Sequence, residues 1–225
     1  MTMSERLIWE NSYIREMNMK KKIITISRTY GSGGRQVAMA IAAEMGIHYY
    51  DKELINMASL KHGVNVSLLK KVDEKPETGR FKKYSDSEVS SPSSRDYLSK
   101  DNLFKMTRDV IEDIAEKEES AVILGRCAHH ILKDRKDVVR VVIYADHDTL
   151  IKNAMHYDQI SEEEALRRIE KINKERDAYN KYYTGKNWLD ASQYDICLNT
   201  SKLTMKQCTQ IIREYIRIMD MESGE

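Results

Sequence analysis

Three glycines fall within four residues in Gly31-Ser32-Gly33-Gly34, followed by Arg35 and Gln36 and preceded by the apolar run Ile23-Ile24-Thr25-Ile26-Ser27. Positions without side chains let successive backbone N–H groups converge on an anion, and a helix opening just after them would aim its positive end at the same point. Such a cluster suits the holding of phosphate. A bare strand-to-helix turn that needs glycine conformations is the alternative reading of the same residues.

Spacing separates two phosphate-loop patterns. A dinucleotide fingerprint, GxGxxG, begins at Gly31 and Gly33 but meets Gln36 where its third glycine belongs, although Asp51 lies at the distance of a ribose-binding acid. The pattern GxxxxGK[ST] puts its last glycine at Gly34, Arg35 in the lysine position, Gln36 in the hydroxyl position and Thr29 where the first glycine would stand. The stretch is a variant of the second pattern.

Further candidates stand where apolar runs end. Asp51 follows His48-Tyr49-Tyr50, Gly125-Arg126 follows Ala121-Val122-Ile123-Leu124, and Asn199-Thr200 closes a run at residues 194–199. Ligands of open parallel sheets sit outside the carboxyl ends of the strands, so these residues converge on one place if the runs are strands. An arginine there can fork onto phosphate, or close an ion pair. Asp51 also suits the start of a helix, and Arg176, within a charged helical stretch, also suits a solvated face. His129, His130, His147 and His156 lack paired ligand spacing and cysteine partners, so no metal site is expected. Trp188, Tyr182 and Tyr183 suit packing of a lid onto the sheet, or stacking on a base.

The elements that must position these residues follow from periodicity. Val37, Ala38, Ile41, Ala42 and Met45 predict a helix that Gly46 ends. Two short helices broken by Gly63 are predicted up to about residue 72, then one through Leu103, Met106, Val110 and Ile114. Val138–Tyr144 has the near-continuous apolar run of a parallel strand covered on both faces. Ser161 with Glu164 predicts a capping box opening a charged helix through about Arg176, and Met205, Cys208, Ile212, Ile216 and Met219 mark a last helix. Five strands alternating with helices predict a three-layer, doubly wound, five-stranded parallel α/β sheet.

Residues 1–20 read as an N-terminal arm, and 21–225 as one domain with a mobile polar excursion at about 73–100 and a lid at about 158–188. A chain of 225 residues that is 41% hydrophobic is long enough for one core. Its 37 basic and 36 acidic residues give no bulk positive field, which excludes a general nucleic-acid binder. No apolar run reaches the ~18 residues that span a bilayer, and no secretory segment is evident, so a soluble cytoplasmic protein is expected. Cys127, Cys197 and Cys208 are too sparse for a disulfide framework.

Taken in order, Ile24-Thr25-Ile26-Ser27-Arg28, Gly31-Ser32-Gly33-Gly34-Arg35, Tyr50-Asp51, Leu124-Gly125-Arg126, Glu175-Arg176-Asp177 and Leu198-Asn199-Thr200-Ser201 resemble the cytidylate kinase-like proteins, relatives of bacterial cytidylate kinase among the nucleoside monophosphate kinases. The resemblance implies a P-loop kinase fold and transfer of the terminal phosphoryl group of ATP, with Mg2+, to a nucleotide substrate such as CMP or dCMP. It implies that Gly31, Ser32, Gly33, Gly34, Arg35 and Gln36 cradle the donor phosphates, with Arg35 in place of the usual lysine. Arg126 would grip the acceptor phosphate, Arg176 would close over both phosphates, and Asp51 and Asp177 would line the acceptor side. The chain departs from the family pattern at Arg35, at Gln36 and at Cys127, where an acid follows the Gly-Arg pair. Tyr182-Tyr183 stands where a second lid arginine is expected. These departures leave room for a nucleotide-binding regulatory protein with altered chemistry, or a homodimer built on the arm and excursion.

Overall fold

The structure, a computed structural model, describes residues 21–73, 88–92, 97–118 and 120–222. The expected arm and most of the expected excursion lie outside them. Strand β1 (Ile23–Arg28) leads into helix α1 (Gly34–Met45), then β2 (His48–Tyr50), α2 (Glu53–His62) and α3 (Val66–Asp73). After α4 (Lys100–Lys117) come β3 (Ala121–Leu124), a single turn α5 (Ala128–Ile131) and β4 (Val138–Tyr144). Helices α6 (His147–Asp158) and α7 (Glu162–Thr184), strand β5 (Ile196–Asn199) and α8 (Met205–Glu222) complete the chain.

The five strands form one parallel sheet, as the alternation of strands and helices predicts, in the order β2-β3-β1-β4-β5. β1 is central and buried from Ile23 to Ser27, because helices cover both faces. Side chains alternate across it. Ile23, with Ala121 and Ile123, faces a core shared with α2, α3 and α4, whereas Ile24 and Ile26, with Val122 and Leu124, face α1 and α8. Each such side chain contributes roughly 2 kcal/mol of burial, so the carboxyl end of β1 is a rigid platform. The chain leaves β1 for β2 on the far side of β3 and later crosses from β3 past β1 to β4 on the other side, and this reversal opens a crevice at the carboxyl end of β1.

Three elements were harder to read. α6 buries only Leu150 and Ala154, too narrow a stripe to show as periodicity, and its clearest signal is the Asp146 cap, whose carboxylate accepts from Thr149 N at 2.9 Å. α5 is a single turn. α7 opens at the expected Ser161 cap but runs to Thr184, well past Arg176, because Tyr179 and Tyr183 find an apolar surface on Phe104 of α4. The described ends of the 73–100 segment are tied to the core. Asp73 closes α3, Tyr97 donates its hydroxyl to His62 O at 3.2 Å, and Asn102 accepts from Ser90 N at 3.0 Å.

Candidate active site

The glycine loop is fixed from behind. Ser32 is fully buried and its hydroxyl donates to Thr29 O at 2.8 Å. The Gly31 carbonyl accepts from Asn153 of α6 at 2.9 Å, and the Ser32 carbonyl from Thr200, just past β5, at 2.8 Å. With those carbonyls turned inward, the first N–H groups of α1, from Gly34 to Gln36, open the helix without intrahelical acceptors, the arrangement that suits an anion. Glycine is required at 31, where φ is +82° and a Cβ would lie 2.5 Å from Leu150 O. The loop has the form of a phosphate cradle, tied to α6 and to the chain past β5 and closed on itself by Ser32.

Arg35 leaves the first turn of α1 half-exposed and places its Nε 3.3 Å from an Asp51 carboxylate oxygen at the end of β2. Two residues expected to serve different ligands are therefore paired. Asp51 borders a cleft of about 400 Å3 that also admits Arg28, Arg126, Arg176, Lys171 and Trp188.

Arg28, the last residue of β1, was not singled out from sequence, yet it is central here. Its Cβ passes Gly34 so closely that a methyl there would lie 2.5 Å away, and its Nη1 occupies the space a Cβ on Gly125 would need, at 2.4 Å. Two motif glycines thus make room for one arginine. Its signal in the sequence is a charge ending an otherwise apolar strand. Arg176 reaches the same point from α7, donating Nη1 to the Arg28 carbonyl at 3.0 Å. Burial first, and then the Arg28 charge, press the Arg176 guanidinium down to about 9. Burial also lowers Arg28, with Asp51 the largest opposing influence.

Arg126 is engaged within the protein. Gly125, Arg126 and Cys127 all have positive φ, at +79°, +56° and +54°, so the turn after β3 is left-handed over three residues. Its guanidinium forks onto Asp73 at the end of α3, with distances of 2.5 and 2.9 Å. The bidentate grip assigned from sequence to an acceptor phosphate is made to an internal carboxylate. Burial opposes the Arg126 charge and Asp73 more than restores it; burial likewise pushes Asp73 up, and the Arg126 fork brings it below the usual carboxylate range. Asp73 was hidden in sequence at the edge of a polar stretch.

The remaining expected residues divide. Asp177 is absent from the cleft lining; its carboxylate accepts the Trp188 N–H at 3.3 Å and so sets the chain after α7. Cys127, in the acid position, is buried, its thiol pushed up to about 12 by burial and directed at Asn180 Oδ1 at 3.7 Å. Tyr182 and Tyr183 donate their hydroxyls to Asp101 at 3.1 Å each, and Tyr183 stacks on Phe104 with ring centres 3.9 Å apart. They dock α7 onto α4. His129 is buried, with Nδ1 3.3 Å from Ser27 Oγ. Among the described residues no group of three acidic, histidine or cysteine side chains is placed to hold a metal.

The family model described as the cytidylate kinase-like family matches residues 23–202. The chain belongs to the cytidylate kinase-like family. Every motif quoted above, from β1 to Asn199-Thr200-Ser201, lies inside the matched span. Among solved structures, the cytidylate kinase-like chain is similar to an uncharacterized protein from Eubacterium ventriosum, at 29% identity and a TM-score of 0.64, covering 87% of this chain and 98% of that one. It is also similar to shikimate kinase from Bacteroides thetaiotaomicron, at 14% identity and a TM-score of 0.51, covering 87% and 98%, a likeness of fold. A comparison with curated proteins finds no match. No helix among the described residues is long and apolar enough to cross a membrane.

Proposed function

We propose that this cytidylate kinase-like protein transfers the terminal phosphoryl group of ATP to a small phosphorylated acceptor, a nucleoside monophosphate such as CMP or dCMP. One observation supports this most directly: three arginines, at the end of β1, just past β3 and on α7, line one crevice, and the glycine loop flanks it, with Gly34 against the Arg28 stem and Arg35 paired with Asp51 of the lining. Phosphoryl transfer needs positioning and charge neutralisation more than a strong base, and this crevice supplies both.

In this reading Gly31, Ser32, Gly33, Gly34, Arg35 and Gln36 present the N-terminal amides of α1 to the donor phosphates. Arg35 lies beside them, with the Asp51 pair fixing its direction. Its guanidinium is planar and longer than a lysine, so it meets the phosphate from the flank. Arg176, approaching from α7, supplies positive charge against the negative charge of the transferred group and excludes water from it. Asp51 borders the acceptor side, and Asp177 acts through Trp188, which borders the same cleft. The residues fit the nucleotide phosphates. For Mg2+ they fit an ion carried by those phosphates, since Ser32 directs its hydroxyl into the protein and Gln36 offers no hydroxyl; such an ion would neutralise the bridging oxygens. A cytoplasmic setting accords with three cysteines that are all free.

The test is an assay of purified protein with ATP, Mg2+ and a panel of monophosphates, against Arg35→Ala and Arg176→Ala. Diphosphate formed on CMP or dCMP and lost in both variants is expected. ATP binding without turnover on any acceptor sinks the kinase reading. That outcome would favour a nucleotide-binding regulator, a reading that the Arg126–Asp73 pair itself supports, because the acceptor fork is already engaged.

A further inference from the structure

The three arginines of the cleft are not equivalent. Arg126 has both ends of its fork on Asp73. Arg176 spends one nitrogen on the Arg28 carbonyl and keeps the other side of its guanidinium toward the cleft it lines. The Arg28 guanidinium has no hydrogen-bonded partner among the described residues; its compensating carboxylate, Asp51, acts through space and is itself 3.3 Å from Arg35. The cleft is lined by five Lys or Arg side chains and three carboxylates, so it is short of negative charge.

A guanidinium on the wall of a cleft short of negative charge attracts an anion, and a bound anion fills its fork. The placement is also built. Arg28 lies in a channel that exists because residues 34 and 125 are glycines, and Gly125 sits at φ +79° with Arg28 Nη1 where its Cβ would be. Its Nη1 therefore stands beside Gly125, just past the carboxyl end of β3, and Arg176 of α7 bonds the Arg28 carbonyl.

Resting on the reading of this cleft as a phosphoryl-acceptor site, we propose that Arg28, with Arg176 beside it, is the seat of the acceptor's phosphate dianion. Arg126 stays tied to Asp73 and shapes the wall of the seat. Arg28 thereby selects acceptors that carry a phosphate dianion over neutral hydroxyl compounds, because only an anion offsets its charge and fills its fork.

The test is calorimetric binding of CMP and of inorganic phosphate to the full chain and to Arg28→Met, Arg28→Lys and Asp73→Asn, with circular dichroism showing that each variant is folded. Arg28→Met is expected to weaken both probes by roughly 30-fold or more, the scale of truncating a desolvated hydrogen-bonded charge. Arg28→Lys keeps the charge without the fork, and a loss of about tenfold is expected, one good hydrogen bond. Asp73→Asn, which releases the Arg126 fork, is expected to give no gain in affinity. The proposal is overturned if Arg28→Met and Arg28→Lys bind both probes as the native chain does, if Asp73→Asn tightens phosphate about tenfold, or if native protein binds neither probe at millimolar concentration. Arg28-dependent binding of phosphate by a protein that turns over no monophosphate would keep the seat and reject the kinase reading, so the two fail separately.

Discussion

His129 makes the stability of the sheet sensitive to mild acid. Its ring is buried against β1, with Ser27 Oγ 3.3 Å from Nδ1 and the Tyr194 ring centre 4.9 Å away. Desolvation, then the charges of His130 and Arg140, lower it from 6.5 to about 3, with Gln193 the one opposing influence. The folded affinity for a proton is thus below the unfolded one. As pH falls through 6.5 the unfolded chain gains a proton that the folded chain refuses, and stability is lost progressively down to about 3. At pH 5 the unfolded imidazole lies 1.5 pH units below its midpoint while the folded one stays neutral, a difference of about 2 kcal/mol. Urea unfolding at pH 7 and pH 5 measures it. Native protein should lose about 2 kcal/mol more than His129→Gln over that interval, carboxylates and the other histidines cancelling in the comparison. Parallel losses, agreeing within about 0.5 kcal/mol, would refute the burial argument and mean that the folded ring takes up its proton freely.

Other outcomes follow from the same geometry. In a double-mutant cycle, Asp73→Asn and Arg126→Met are each expected to cost about 3 kcal/mol and together far less than the sum, since either alone strands a half-buried charge; additive costs in urea unfolding would remove the pair from the site. Tyr183→Ala deletes the ring stacked on Phe104 and is expected to cost about 3 kcal/mol, with hydrogen exchange of α7 rising before that of the sheet; uniform acceleration across the protein would contradict the docking role. A thiol reagent at pH 8 should label the exposed Cys197 promptly and spare Cys127 and Cys208 until the chain unfolds, because both are buried; labelling of Cys127 in the folded protein would reopen the turn after β3.

The parts legible in sequence were those that a local rule governs. Glycine spacing, apolar runs and caps marked the loop, the five strands and the start of α7, and strand ends located Asp51, Arg126 and Thr200. What was not legible depended on distance along the chain. Asp73 and Arg126 are 53 residues apart, and nothing in either neighbourhood announces the other. Arg28 was seen as part of a motif and not as a side chain threading two glycines, since that relation exists only once β3 is paired with β1 in register. Asp177, sound as a motif residue, turned out to hold the backbone of Trp188. Helix α6 escaped because two buried residues in twelve leave no period to find.

Four contacts of α7 lie along one edge of the helix. Asn173 accepts from Tyr30 N, Arg176 donates to Arg28 O, Asn180 meets the Cys127 thiol and Tyr183 stacks on Phe104. These positions recur at steps of three and four residues, so they form a single line of about 15 Å on a rigid rod. A rod fastened along one edge cannot be released piecemeal: turning it about its axis breaks all four fastenings together. Access to the cleft should therefore behave as one all-or-none event with a single relaxation rate, reported equally by a probe beside the glycine loop and by one beside α4.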